Sequence, residues 1–248
     1  MRSFNKGPTA EFLDKARFHF DRALDLDSDN VDALVWRARV DVGFVASWLS
    51  EDRQGRLRSA EADLGKALKL RRDSAIARTV LGMVRNYSNR AVQGIAECER
   101  ALAIDRNLAA AHAGIGFAKC LTGRFDETEG HVLEALRISP RDTSAGTWMT
   151  IAAFAKWCLG RDEEAIAWLN RAFELSPSLP MAHFLLAAAF ARLGRLEDAR
   201  EAARAGLELN PSFTIARLRS TPLSDHPVYL AGVERMYEGL RQVGIPER

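Results

Sequence analysis

Long apolar runs, pairable cysteines and a surplus of one charge are all missing from this chain, and each absence removes a class of protein. The longest apolar windows, 147–160 and 181–194, are about fourteen residues and are interrupted by Lys156 and Arg192. A bilayer-spanning helix needs roughly 20 apolar residues, so no membrane partner is expected. The opening MRSFNKGPTAEF has no apolar segment of the secretory kind, and a cytoplasmic location is expected. The three cysteines, Cys98, Cys120 and Cys158, are odd in number and have no CxxC spacing; they are expected as buried thiols in a reducing compartment. Basic residues number 35 against 33 acidic ones, a net charge of only +2 with the signs interspersed. That balance gives no electrostatic footprint for nucleic acid, and Arg53, Arg56 and Arg58 lie among acids as a solvated face.

Catalytic constellations are missing too. The five histidines show no HxxxH or HExxH spacing, so no metal site is expected. The glycines of GIG, residues 114–116, sit within a helical pattern with no preceding strand and lack the forms of a phosphate loop, which leaves no cofactor to assign. Asp162, Glu163 and Glu164, like Glu197 and Asp198, open helical patterns, where carboxylates complement the helix dipole. The reading is of a chain that is not an enzyme.

What the sequence has is recurrence. RALDLDS, KALKLRR, RALAIDR, EALRISP, RAFELSP and AGLELNP end at Ser28, Arg72, Arg106, Pro140, Pro177 and Pro211, with steps of 44, 34, 34, 37 and 34 residues. Each phrase closes an amphipathic pattern: Ala165, Trp168, Leu169, Ala172 and Phe173 recur at helical spacing before Pro177 stops the helix. A second pattern precedes each one, so the unit is helix, turn, helix, turn. Small residues mark the expected helix contacts, at Ala165 and Ala172 and their equivalents Ala16 and Ala23, Ala60 and Ala67, Gly94 and Ala101, and Ala199 and Gly206. Thr128 is the one departure, with a hydroxyl expected to bond back to the preceding turn. The first helices carry a matching small residue at Ala38, Gly82, Gly116, Ala153 and Ala187.

On these positions the sequence resembles the tetratricopeptide repeat (TPR) family, most strongly in MAHFLLAAAFARLGRLEDAREAARAGLELNP, residues 181–211. The resemblance implies an all-α fold, a right-handed α–α superhelix of antiparallel helix pairs with a concave inner surface and a C-terminal capping helix. Read as one solenoid over 1–248, the chain divides into a half repeat (1–30), a long repeat (31–73), four further repeats (74–107, 108–142, 143–178, 179–212) and a cap (213–248). In the long repeat the paired helices are expected to lengthen, with Phe44, Trp48 and Leu49 at an extended tip. At RDTSAGT a longer turn is expected. The half repeat leaves a helix face uncovered, implying either another polypeptide over it, including self-association through this N-terminal edge, or descent from a longer chain. In the cap, Ser224 or Asp225 is expected to start a helix with Pro227 in its first turn, an apolar stripe of Leu230, Val233, Tyr237 and Leu240, and a stop at Gly244.

Proteins of this family bind ligands along the first helices of successive units. Projecting that register places Arg39, Met83, Asn86, Phe117, Thr150, Phe154, Trp157, Phe184 and Arg192 on the inner groove, an apolar and aromatic surface with few charges. The family's terminal-carboxylate clamp has no counterpart at Thr79, Met83, Ala113 or Phe117, so a hydrophobic segment or amphipathic helix is the expected ligand. The chain is therefore read as a non-catalytic interaction scaffold for a protein or peptide partner. More narrowly, the two ends and the long second unit resemble a bacterial module found behind class III adenylate/guanylate cyclase domains or winged-helix regulators. That resemblance implies the alternative role of a regulatory segment coupled to an output domain.

Overall fold

A computed structural model describes residues 10–248. The reading of MRSFNKG as too short for a full first helix lies outside the described residues. Among those residues there are thirteen α-helices and no strand. The fold class is all-α, built from the helix pairs that the periodicity requires. Packing divides the chain into two compact units, residues 10–118 and 119–248.

In the 10–118 unit, α1 (Ala10–Leu26) packs on α2 (Val31–Ala46), α2 pairs with α3 (Arg53–Leu70), and α4 (Ala75–Tyr87) pairs with α5 (Ala91–Ile104). The first ten residues of α6 (Ala109–Leu121) complete it. Local chemistry sets the starts: Asn30, Asp52 and Ser74 each accept a hydrogen bond from the backbone N–H three residues on. The long repeat does have longer helices, 16 and 18 residues. Its tip differs from expectation, because Phe44 is buried in a cluster with Leu13 and Val40 while only Leu49 is exposed. Trp48 turns the chain at φ 59° with Arg53 stacked on its ring.

Ala60 and Ala67 are wholly buried, as the small-residue register requires. Gly82 and Gly94 bring α4 and α5 closest. A Cβ on Gly82 would stand 2.5 Å from Cys98 Sγ and 3.0 Å from the Gly94 carbonyl oxygen, so no larger residue fits. Charges tie the far side together: the buried Asp41 carboxylate is held by Arg17 and Arg56, and Arg37 bridges Asp63 and Asp21.

In the 119–248 unit, a short 3-10 turn (Phe125–Glu127) leads into α7 (Thr128–Ile138). Then come α8 (Ala145–Cys158) paired with α9 (Asp162–Leu175), and α10 (Pro180–Arg192) paired with α11 (Leu196–Leu209). Between α7 and α8 six residues stand outside helix, against four between α9 and α10, which is the lengthened turn at RDTSAGT. Thr128 is buried, and its hydroxyl lies 3.3 Å from Cys120 Sγ.

The cap is two helices, α12 (Ile215–Arg219) and α13 (Pro227–Gln242). Its start departs from expectation: His226 is the N-cap residue, and the Ser224 hydroxyl accepts the His226 N–H while donating to the Leu121 carbonyl at 2.6 Å. Gly244 follows at φ 82°, as a helix stop requires. The buried face of α13 is Tyr229, Gly232, Met236, Tyr237, Gly239 and Leu240, whereas Leu230 is 40% exposed. Of the expected stripe, Tyr237 and Leu240 are buried and Val233 partly so, while the place expected for Leu230 is taken by Tyr229.

Candidate functional site

Each first helix carries one residue immediately after its small contact residue: Arg39, Met83, Phe117, Phe154 and Ala188 follow Ala38, Gly82, Gly116, Ala153 and Ala187. Since the small residue faces the partner helix, the next residue around the turn looks out from the first-helix face. The two units differ in what lies there.

In the 10–118 unit, Arg39, Met83 and Phe117 are all partly exposed. Arg39 lies with its guanidinium 5.5 Å from the centre of the Trp36 ring, itself 42% exposed. Met83 rests on the core beneath α2 and α4. Phe117 meets Tyr87 with ring centres 5.3 Å apart, and burial pushes the Tyr87 hydroxyl up to about 12. Asn86 is fully buried and donates to the Gly114 carbonyl at 2.9 Å, locking α4 to α6 rather than facing a groove. With Ile76 also exposed, the face is apolar and aromatic with Arg39 at its edge.

In the 119–248 unit the same face is covered. α13 packs on α10 and on the C-terminal turn of α8. Tyr229 sits against Phe154 with ring centres 5.7 Å apart, and Arg235 donates to the Cys158 carbonyl at 3.2 Å. A Cβ on Gly232 would stand 2.6 Å from Cys158 Sγ, and one on Gly239 would stand 3.1 Å from Ala188 Cα.

Trp157 is 1% exposed, flanked by Arg192 at 4.5 Å and Arg235 at 5.7 Å from its ring centre. Phe184 is wholly buried, stacked on Phe213 with centres 3.7 Å apart. Thr150 bonds back to the Gly146 carbonyl, and Arg192 is held by Asp162 and the Trp157 carbonyl. Of the nine projected groove residues, then, Asn86, Trp157 and Phe184 are core, and Phe154 faces the chain's own helix. The sequence pattern missed the covering face of α13, whose signal was the pair Gly232 and Gly239 seven residues apart.

No cluster of three or more metal-binding side chains occurs among the described residues. Burial pushes the Cys98 and Cys120 thiols up to about 12 and the Cys158 thiol higher still, the opposite of an activated nucleophile. No described helix is long and apolar enough to cross a membrane.

Family models for the TPR repeat and the tetratricopeptide repeat match residues 159–194 and 180–213. Residues 159–213 carry tetratricopeptide repeats. The chain matches no curated protein. Among solved structures, a chain of the APC/C hetero-tetramer Cut9–Hcn1 is similar at 14% identity and a TM-score of 0.68, over 91% of this chain and 40% of that one. A thermophilic TPR protein of Thermus thermophilus is similar at 17% identity and 0.60, over 79% and 99%. A tetratricopeptide repeat protein from Parabacteroides merdae is similar at 16% and 0.58, over 91% and 78%. At these identities the likeness is one of fold. TPR repeats build protein–protein interaction scaffolds, in which stacked helix pairs present an extended surface of first helices.

Proposed function

We propose that this chain is a TPR-type, non-catalytic scaffold that binds an amphipathic helix on the first-helix face of its 10–118 unit, centred on Arg39, Met83 and Phe117. One observation carries the reading: at the equivalent register of the other unit, Phe154 and Ala188 lie against a helix, α13. A surface built on the same repeat, with the same small-residue spacing, has the shape to accept the same kind of ligand. Trp36, Met83 and Phe117 supply large partly exposed apolar area, of the type that anchors helix-in-groove recognition. Arg39 adds one positive charge at the rim and favours an acidic residue on the ligand helix.

The test is a selection of helical peptides against the full chain, followed by Met83→Arg and Phe117→Arg. Selected peptides should lose at least about tenfold in affinity to each variant, as expected for burying an unpaired charge in a contact surface. Helical circular dichroism should be unchanged. Full affinity in both folded variants would overturn the reading.

A further inference from the structure

The first-helix face of the 119–248 unit is closed by a segment that is out of period with the repeats. α13 touches α8 and α10 at the positions where the other unit is open, and its grip is of two kinds. Its middle is held by close packing, Gly232 on Cys158 and Gly239 on the Ala188 backbone. Its ends are tied by polar contacts: Ser224 to the Leu121 carbonyl at one, and the Ile215 and Ala216 N–H groups to the Pro246 and Glu247 carbonyls at the other, with Arg219 paired to Glu234 between them. The connection from α12, residues 220–226, is outside helix and contains Pro222. Two polar atoms near α13 are buried without a partner: Trp157 Nε1, on a ring flanked by Arg192 and Arg235, and Nδ1 of His226, the N-cap residue of α13. Buried unpaired polar atoms are a cost that a ligand with better-placed acceptors and donors would not carry.

We propose that α13 is a resident ligand of a second helix-recognition face, and that a partner helix exchanges with it there. The partner's chemistry is read from α13 itself. It is an amphipathic helix with small residues seven positions apart to meet Cys158 and Ala188, and an aromatic residue three before the first of them to meet Phe154. The arrangement makes this face conditional, whereas the face with Met83 and Phe117 is open. Tethering explains why: a segment joined by a short linker competes at an effective concentration on the order of millimolar, so only a well-matched helix displaces it.

The proposal rests on the reading that first-helix faces take helices, but the two fail separately. The probe is a fluorescent peptide of residues 225–245, titrated into the full-length protein and its full-length Gly239→Leu variant. The variant should bind the peptide at least about tenfold more tightly than the unaltered chain, because its own α13 no longer fits. A peptide carrying Gly232→Leu and Gly239→Leu should bind neither. Binding to the variant should survive Phe117→Arg, which separates this face from the other.

A folded variant that ignores the peptide would overturn the proposal. Hydrogen exchange on the unaltered chain decides the matter if the variant does not fold. The amides of α13 should then exchange at least about tenfold faster than those of α8 and α10, through local opening. Exchange of all three helices only in global unfolding would overturn it.

Discussion

Gly239 on α13 and Ala188 on α10 approach so closely that the two backbones are in contact. A Cβ on Gly239 would lie 3.1 Å from the Ala188 Cα and 3.2 Å from its carbonyl oxygen. Neither is the movable end of a side chain, so the contact fixes where α13 can lie. Gly239→Ala is expected to destabilise the protein by roughly 1–2 kcal/mol through overpacking, although alanine is the better helix former. Gly65→Ala on α3 is the control: a Cβ there meets nothing within 4 Å, and the same change should stabilise by about 0.5–1 kcal/mol. Urea melts of the two variants should move in opposite directions, and a shared direction would refute the contact.

Tyr237 tests the docking of α13 by removal rather than addition. It is buried, with Arg219 stacked 5.0 Å from its ring centre. Tyr237→Ala should cost about 3 kcal/mol, in the range for truncating a buried aromatic residue. An unchanged melting temperature would mean that α13 contributes nothing to the fold.

How much of this was legible in the sequence follows from which contacts are local. The helix pairs were legible because the residues that bring them together, such as Gly82 and Gly94, lie one turn-and-helix apart and repeat. The burial of Trp157 and Phe184 was not, because what covers them comes from outside the period: Arg235 on α13 and Phe213 ahead of α12. Tyr237 and Leu240 are buried as expected on α13, but Leu230 is not, for a related reason. An apolar pattern marks large side chains, whereas at Gly232 and Gly239 it is the lack of a side chain that permits burial.

Asp41 is the charged centre of the 10–118 unit. Its carboxylate is wholly buried, and the Arg17 and Arg56 guanidinium groups that hold it are about a quarter exposed. Asp41→Ala leaves Arg56 without its counter-charge and Arg17 with only Asp21, 3.7 Å away, and about 2–3 kcal/mol of destabilisation is expected, less than for a fully buried pair because water reaches the arginines. Thermal melts should show the loss, and Arg17→Met combined with Arg56→Met should recover part of it. No recovery would place the role of Asp41 elsewhere.

Acid should weaken the protein through two glutamates. Arg90, with Arg85 beside it, holds the Glu61 carboxyl below its usual range. Burial alone would raise Glu129, but the Lys156 ammonium at 2.7 Å and the Trp168 N–H at 3.0 Å turn the shift downward. A depressed folded pKa gives stability that is present above the unfolded value, about 4.3, and is lost as pH falls through the folded value. The melting temperature should therefore decline from about pH 5 toward pH 3. Glu61→Gln and Glu129→Gln should each flatten that decline, and slopes equal to the parent's would contradict these assignments.

The account turns on which side of the repeats receives a partner helix. Photo-cross-linking measures this directly, with p-benzoylphenylalanine replacing Met83 on the first-helix face or the exposed Val92 on α5, and a selected helical peptide as ligand. Adducts should form from position 83 and be absent from position 92. Adducts from position 92 with none from 83 would contradict the account.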